Sequence, residues 1–268
     1  MRLFWTALIL MSVGFGGFAM AETPQEALNR GDIAGATGLL AAMSESEDVE
    51  NAVAGLAGQA QIAIHNGDYD KAASLLDQAE EKLGERRLAK SGYHVVVPYL
   101  KSEVAQAQGQ MDLAKALIKL ARANFDLGLH IDDLWEGVLE YKMSQVFDDD
   151  NAQARHAAEA AIDFYRSRRM YAAHALAEIR LAELEWARDK HRRTFVGYDN
   201  ALRAYRNEGN SQDKIAEIQL MIAEKHIKLE DFKAAASRLE MAQKEMELAG
   251  NPAALQAKFK ELQQALPE

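Results

Sequence analysis

Large apolar residues and alanines recur at helical spacing along this chain, interrupted by polar breaks that return about every forty residues. The breaks read Gly31-Asp32-Ile33, Gly67-Asp68-Tyr69, Gly109-Gln110-Met111, Asp149-Asp150-Asn151, Asp189-Lys190-His191 and Glu230-Asp231-Phe232. Their spacings are 36, 42, 40, 40 and 41 residues. A fixed period of this length predicts stacked helix pairs, because one pair cannot bury its apolar face alone. The pairs fall near 23–30 and 32–44, 46–66 and 69–84, 94–108 and 111–124, 131–147 and 151–167, 169–188 and 190–207, and 211–229 and 231–249. A last amphipathic stretch, 252–266, reads as a capping helix with Leu255, Phe259 and Leu262 on one face.

The breaks carry their own chemistry. Gly67 and Gly109 can take the positive φ at which a helix stops. Asp68 and Asp70, or Asp148 to Asp150, can accept hydrogen bonds from the free N–H groups of the next helix. Five residues after the reference position of a break stand Ala36, Ala72, Ala114 and Ala235, and twelve after it, in five of the six, Ala79, Ala121, Ala161, Ala201 and Ala242. Leu76, Ile118, Tyr198 and Leu239 lie between them, the small-and-large alternation that antiparallel helices need in order to interdigitate.

These residues lead to a family. The stretch 222–235, ending Leu229-Glu230-Asp231-Phe232-Lys233-Ala234-Ala235, resembles a tetratricopeptide repeat, as do 59–72, with Asn66-Gly67-Asp68-Tyr69-Asp70-Lys71-Ala72, and 181–191. The resemblance covers residues 22–268 at the level of pattern. It departs from the family in its longer period, in acidic residues at the last three breaks, and in lacking a proline at the end of each repeat. It implies an all-α, right-handed α-solenoid of about six antiparallel helix pairs closed by a capping helix. A looser α-solenoid stays open beside it.

Residues 1–21 read as an export signal: Arg2, an apolar run from Leu3, glycines at 14, 16 and 17, and Ala19-Met20-Ala21 as a small-x-small cleavage site before Glu22. An uncleaved anchor is the alternative. Cleavage predicts a periplasmic or secreted protein without stable membrane insertion. The chain has no cysteine, which excludes thiol catalysis, thiolate metal sites and lipoprotein anchoring.

Enzyme chemistry finds no footing. The seven histidines include no pair at i, i+4, and neither a nucleophile elbow nor a phosphate-binding glycine loop occurs. His174 and Glu178 share a helix face and read as a surface contact. Asp148-Asp149-Asp150-Asn151 lacks the alternating ligands and central glycine of a calcium loop. No catalytic residue, metal site or cofactor is expected.

Binding is the expectation instead. By the resemblance, residues just before each break point into a concave groove, which selects Glu103, Gln106, Met143, Phe147, Glu183, Trp186, Glu224 and Lys228. Phe147, Trp186 and Met143 can equally serve to fill the space between helices. Charge adds a second surface. The formal net charge is −10, yet residues 155–206 hold 11 basic and 7 acidic side chains, against 3 and 13 over residues 22–85. Arg166, Arg168, Arg169, Arg192 and Arg193 are expected near one end of neighbouring pairs, as a solvated edge or a patch for an acidic partner segment. Overall acidity and export both oppose nucleic acid. The sequence therefore predicts a scaffold for a peptide or partner protein, or an accessory subunit that docks onto an envelope machine.

Overall fold

The computed structural model describes residues 23–84, 88–149, 151–209 and 211–267. Among them it is all-helical, with thirteen helices and no strand beyond a lone bridge between Ser91 and His130. The expected export signal lies outside the described residues. The chain divides into two compact units, residues 1–147 and 148–268, and the division falls between the two helices that the sequence period assigns to its fourth pair.

The first unit holds α1 (Pro24–Asn29), α2 (Ile33–Ser44), α3 (Val49–Asn66), α4 (Tyr69–Leu83), α5 (Tyr93–Ala107), α6 (Met111–Asp126) and α7 (Leu134–Val146). Here α3 lies against α4 and α5 against α6, while α2 covers α3 and α7 rests on α6. The second unit holds α8 (Asn151–Ser167), α9 (Tyr171–Trp186), α10 (His191–Glu208), α11 (Gln212–Lys228), α12 (Phe232–Leu248) and α13 (Ala253–Gln264). Its most extensive contacts join α9 to α10 and α11 to α12, with α13 laid on both α11 and α12.

The helix ends follow from the break residues. Gly31, Gly67 and Gly109 have φ between 76° and 79°, and the acidic substitutes Asp189 and Glu230 adopt the same left-handed conformation at 57° and 59°. In each case the next N–H reaches back five residues, from Asp32 to Ala27, Asp68 to Ala63, Gln110 to Ala105, Lys190 to Glu185 and Asp231 to His226, at 2.8–3.0 Å. That bond satisfies a carbonyl which the ending helix would leave bare. Arg169 does the same at φ 56°, with Met170 bonded to Tyr165. The following helices start on carboxylates: Asp32, Asp68 and Asp231 accept from the backbone N–H three residues on. Asp148, a candidate cap by sequence, instead pairs with Arg180 at 2.5 Å, and Asp150 lies outside the described residues.

The register of small and large residues is as the sequence spacing requires. Ala36, Ala72, Ala114 and Ala235 are fully enclosed, and so are Ala79, Ala121, Ala161, Ala201 and Ala242. Leu76, Ile118 and Tyr198 are enclosed between them. Ala154 and Thr194 fill the corresponding place after the two remaining breaks, both fully buried. A proline inside α5 also fits. Pro98 cannot donate to the carbonyl of His94, and the Asn124 amide of α6 donates to that oxygen instead at 2.6 Å.

Candidate partner-binding site

The eight groove candidates fall into two groups of four, one in each unit. In the first unit Glu103 and Gln106 stand one turn apart on α5 and meet Lys142 of α7. The Lys142 side chain is only 4% exposed; its Nζ donates to Gln106 Oε1 at 2.6 Å and lies 3.6 Å from Glu103 Oε1. The Tyr99 hydroxyl donates to the same Glu103 oxygen at 3.3 Å. Burial pulls the Lys142 ammonium below its ordinary pKa, and Glu103 opposes that shift. Met143 is half-buried. Phe147 is not a lining residue: it caps α7, is 3% exposed, and holds the Lys119 ammonium 5.1 Å above its ring.

The second unit repeats this arrangement with closer contacts. Glu183 and Trp186 stand one turn apart on α9, and Lys225 of α11 serves both. Its Nζ donates to Glu183 Oε2 at 2.7 Å and sits 4.7 Å from the Trp186 ring centroid. Tyr198 of α10 donates its hydroxyl to Glu183 Oε1. Burial, then this hydrogen bond, holds the phenol far above its ordinary pKa. The other face of the site is charged and wetter. Glu224 pairs with Lys228 at 2.8 Å and with Lys258 of α13 at 3.3 Å. The hydrogen bond from Lys228 chiefly keeps this carboxyl below its ordinary range. Trp186 is half-buried, tilted against the His191 ring at a centroid distance of 4.7 Å.

Each group thus joins a half-buried carboxylate, a nearly enclosed lysine from the helix two further along, and a tyrosine hydroxyl. Lys142 and Lys225 did not stand out in the sequence. The signal for both was a lysine at a position that the helical period assigns to the buried face, which reads on its own as a solvated side chain.

The arginines do not form one cluster. Arg166, Arg168 and Arg169 sit where α8 turns into α9, whereas Arg192 and Arg193 sit where α9 turns into α10. Antiparallel neighbours put these turns at opposite ends of α9, about 24 Å apart for 16 residues. Closeness in sequence therefore does not become closeness in space here, because a full helix separates the two turns. At the second turn the buried carboxylate of Glu185 receives Arg155 Nε at 2.7 Å, with Arg188 at 3.7 Å and Arg193 at 3.8 Å. At the first, Arg168 stacks 3.8 Å from the Phe164 ring centroid.

Among the described residues no three histidines, aspartates or glutamates converge in a way that could hold a metal ion, and no helix is long and apolar enough to cross a membrane. No family model matches the chain, and no curated protein matches it in sequence. Among solved structures it is similar to the crystal structure of BtubC (BKLC) from P. vanneervenii, at 17% identity and a TM-score of 0.65. That likeness covers 81% of this chain and 91% of that one, and it is a likeness of fold.

Proposed function

We propose that this chain is an exported tetratricopeptide-like scaffold, a right-handed α-solenoid that holds a peptide or a partner protein in the bacterial envelope. The observation that carries the reading is the recurrence of one polar arrangement in both units, Glu103 with Lys142 and Glu183 with Lys225. A half-buried ion pair adds little to stability and often costs more than an apolar pair would. Its repetition around Glu103 and Glu183, two positions expected to line a groove, is better explained by recognition. Carboxylates, lysines and a tryptophan face together offer hydrogen bonds to peptide groups and an apolar surface for a side chain. A second reading, an accessory subunit docking onto an envelope enzyme or secretion machine, draws on the exposed arginines of α8 and α10.

The test uses protein recovered from a periplasmic extract, with its N-terminus at Glu22 checked by intact mass. The chain is immobilised and partners captured from envelope extract are identified. Trp186→Ala is expected to abolish capture at every salt concentration, with helix content unchanged. Capture that survives Trp186→Ala and Glu183→Gln would remove the groove from the reading.

A further inference from the structure

One polar feature takes no part in the groove. Along α9, Tyr171, His174 and Glu178 fall on one face, and along α10 Asn200 and Arg203 do so; with Arg166 at the end of α8 they line a cavity of about 290 Å3. Beside it this helix pair meets through enclosed apolar residues such as Ala175, Ala182 and Ala201. The sequence reading of His174 and Glu178 as a surface contact does not hold, for the Glu178 side chain is only 7% exposed. Glu178 Oε1 accepts from Asn200 Nδ2 at 3.2 Å. His174 Nε2 lies 3.3 Å from that same oxygen, but it is buried and lacks the alignment of a hydrogen bond.

Stability gives no reason for this arrangement. A buried carboxylate facing one amide and a misaligned imidazole costs more than the leucine and alanine that would continue the apolar seam. The mouth has the opposite need. Arg166 is 64% exposed and shares only Asp163, while Arg203 is exposed and has no carboxylate partner among the described residues. At the inner end the buried His174 Nε2 lacks a hydrogen-bond partner beside the Glu178 carboxylate, and the outer end holds two exposed guanidiniums, of which only Arg166 has a carboxylate neighbour.

We infer that this cavity binds a free amino acid, with its ammonium group on Glu178 and its carboxylate between the Arg166 and Arg203 guanidiniums. Guanidinium and carboxylate are matched in geometry, and the volume is at the small end of the range for ligand pockets. The site is separate from the proposed groove, so either can fail without the other.

The purified chain is titrated calorimetrically with each of the twenty free amino acids, with acetate and ethylamine as half-molecule controls. At least one amino acid is expected to bind with a Kd of about 1 mM or tighter, and neither control at that concentration. Glu178→Gln and Arg203→Gln should each weaken binding about tenfold or more. Unliganded Glu178→Gln should melt no lower than the parent, which separates lost recognition from lost folding. No binding by any of the twenty at about 10 mM overturns the inference. So does binding that both variants leave intact, or acetate binding as well as the best amino acid does.

Discussion

At the scale of single residues, the left-handed positions are the clearest lever. Asp189 and Glu230 hold φ 57° and 59° where earlier breaks use glycine. A side chain in that conformation costs about 1–2 kcal/mol, and glycine returns roughly half of the gain through its freer unfolded state. Asp189→Gly and Glu230→Gly are each expected to stabilise the chain by about 0.5–1 kcal/mol in urea unfolding. The bond from Asn124 to the His94 carbonyl makes an opposite forecast. Asn124→Ala strands that carbonyl and should cost about 1–3 kcal/mol. Pro98→Ala restores an N–H to α5, so the double variant should lose less than the sum of the two singles. Titration adds a third case. His226 stacks on Phe195 at 4.3 Å, and burial chiefly lowers its pKa, with Arg238 adding to the shift and Asp231 opposing it. The fold therefore prefers the neutral ring, and the unfolded chain takes up the proton first as pH falls below the ordinary value of 6.5. Stability is expected to fall from there down to the folded pKa, and His226→Phe should remove that step from a pH series of melting curves.

At the scale of helices, the enclosed alanines set the distance between partners. Ala72 on α4 and Ala235 on α12 have no exposed surface, so leucine at either must push its helix away from the neighbour. The expected cost is about 1–3 kcal/mol by chemical denaturation, with helix content retained. A variant that melts with the parent would mean that the repeat register is wrong at that site. This register was legible in the sequence because burial on a helix repeats with its turn, so Leu76 and Ala79 mark a face without knowledge of the partner. Helix ends were legible too, since Gly67 and Asp68 act within a few residues of themselves. What spans two helices was not. That Lys225 is enclosed depends on Trp186 and Glu183, thirty-nine and forty-two residues earlier in the chain. That Glu178 is buried depends on Asn200 of the next helix. Local pattern carries no record of such pairs, and the same holds for the amide that compensates Pro98.

At the scale of the whole chain, charge and helix direction together decide which surface a partner can use. An acidic protein with a formal net charge of −10 repels acidic partners except where arginine is concentrated. Antiparallel α9 divides that concentration, so the two turns can be tested apart. Arg193 already faces Glu185, and Arg155 and Arg188 crowd the same carboxylate, leaving that turn partly neutralised from within. Arg169 has no such carboxylate among the described residues, and Arg168 is exposed and stacks on Phe164. If an acidic segment docks on this unit, Arg168→Glu with Arg169→Glu should therefore weaken capture more than Arg192→Glu with Arg193→Glu. The loss should be largest at low salt, since exposed charges are screened beyond about 8 Å at physiological ionic strength. Capture by both pairs is measured across a salt series, beside Trp186→Ala. Equal losses from the two reversals would point to long-range attraction by the unit as a whole. No loss from either, with Trp186→Ala still abolishing capture, would leave the groove as the binding surface and the arginines as a solvated edge.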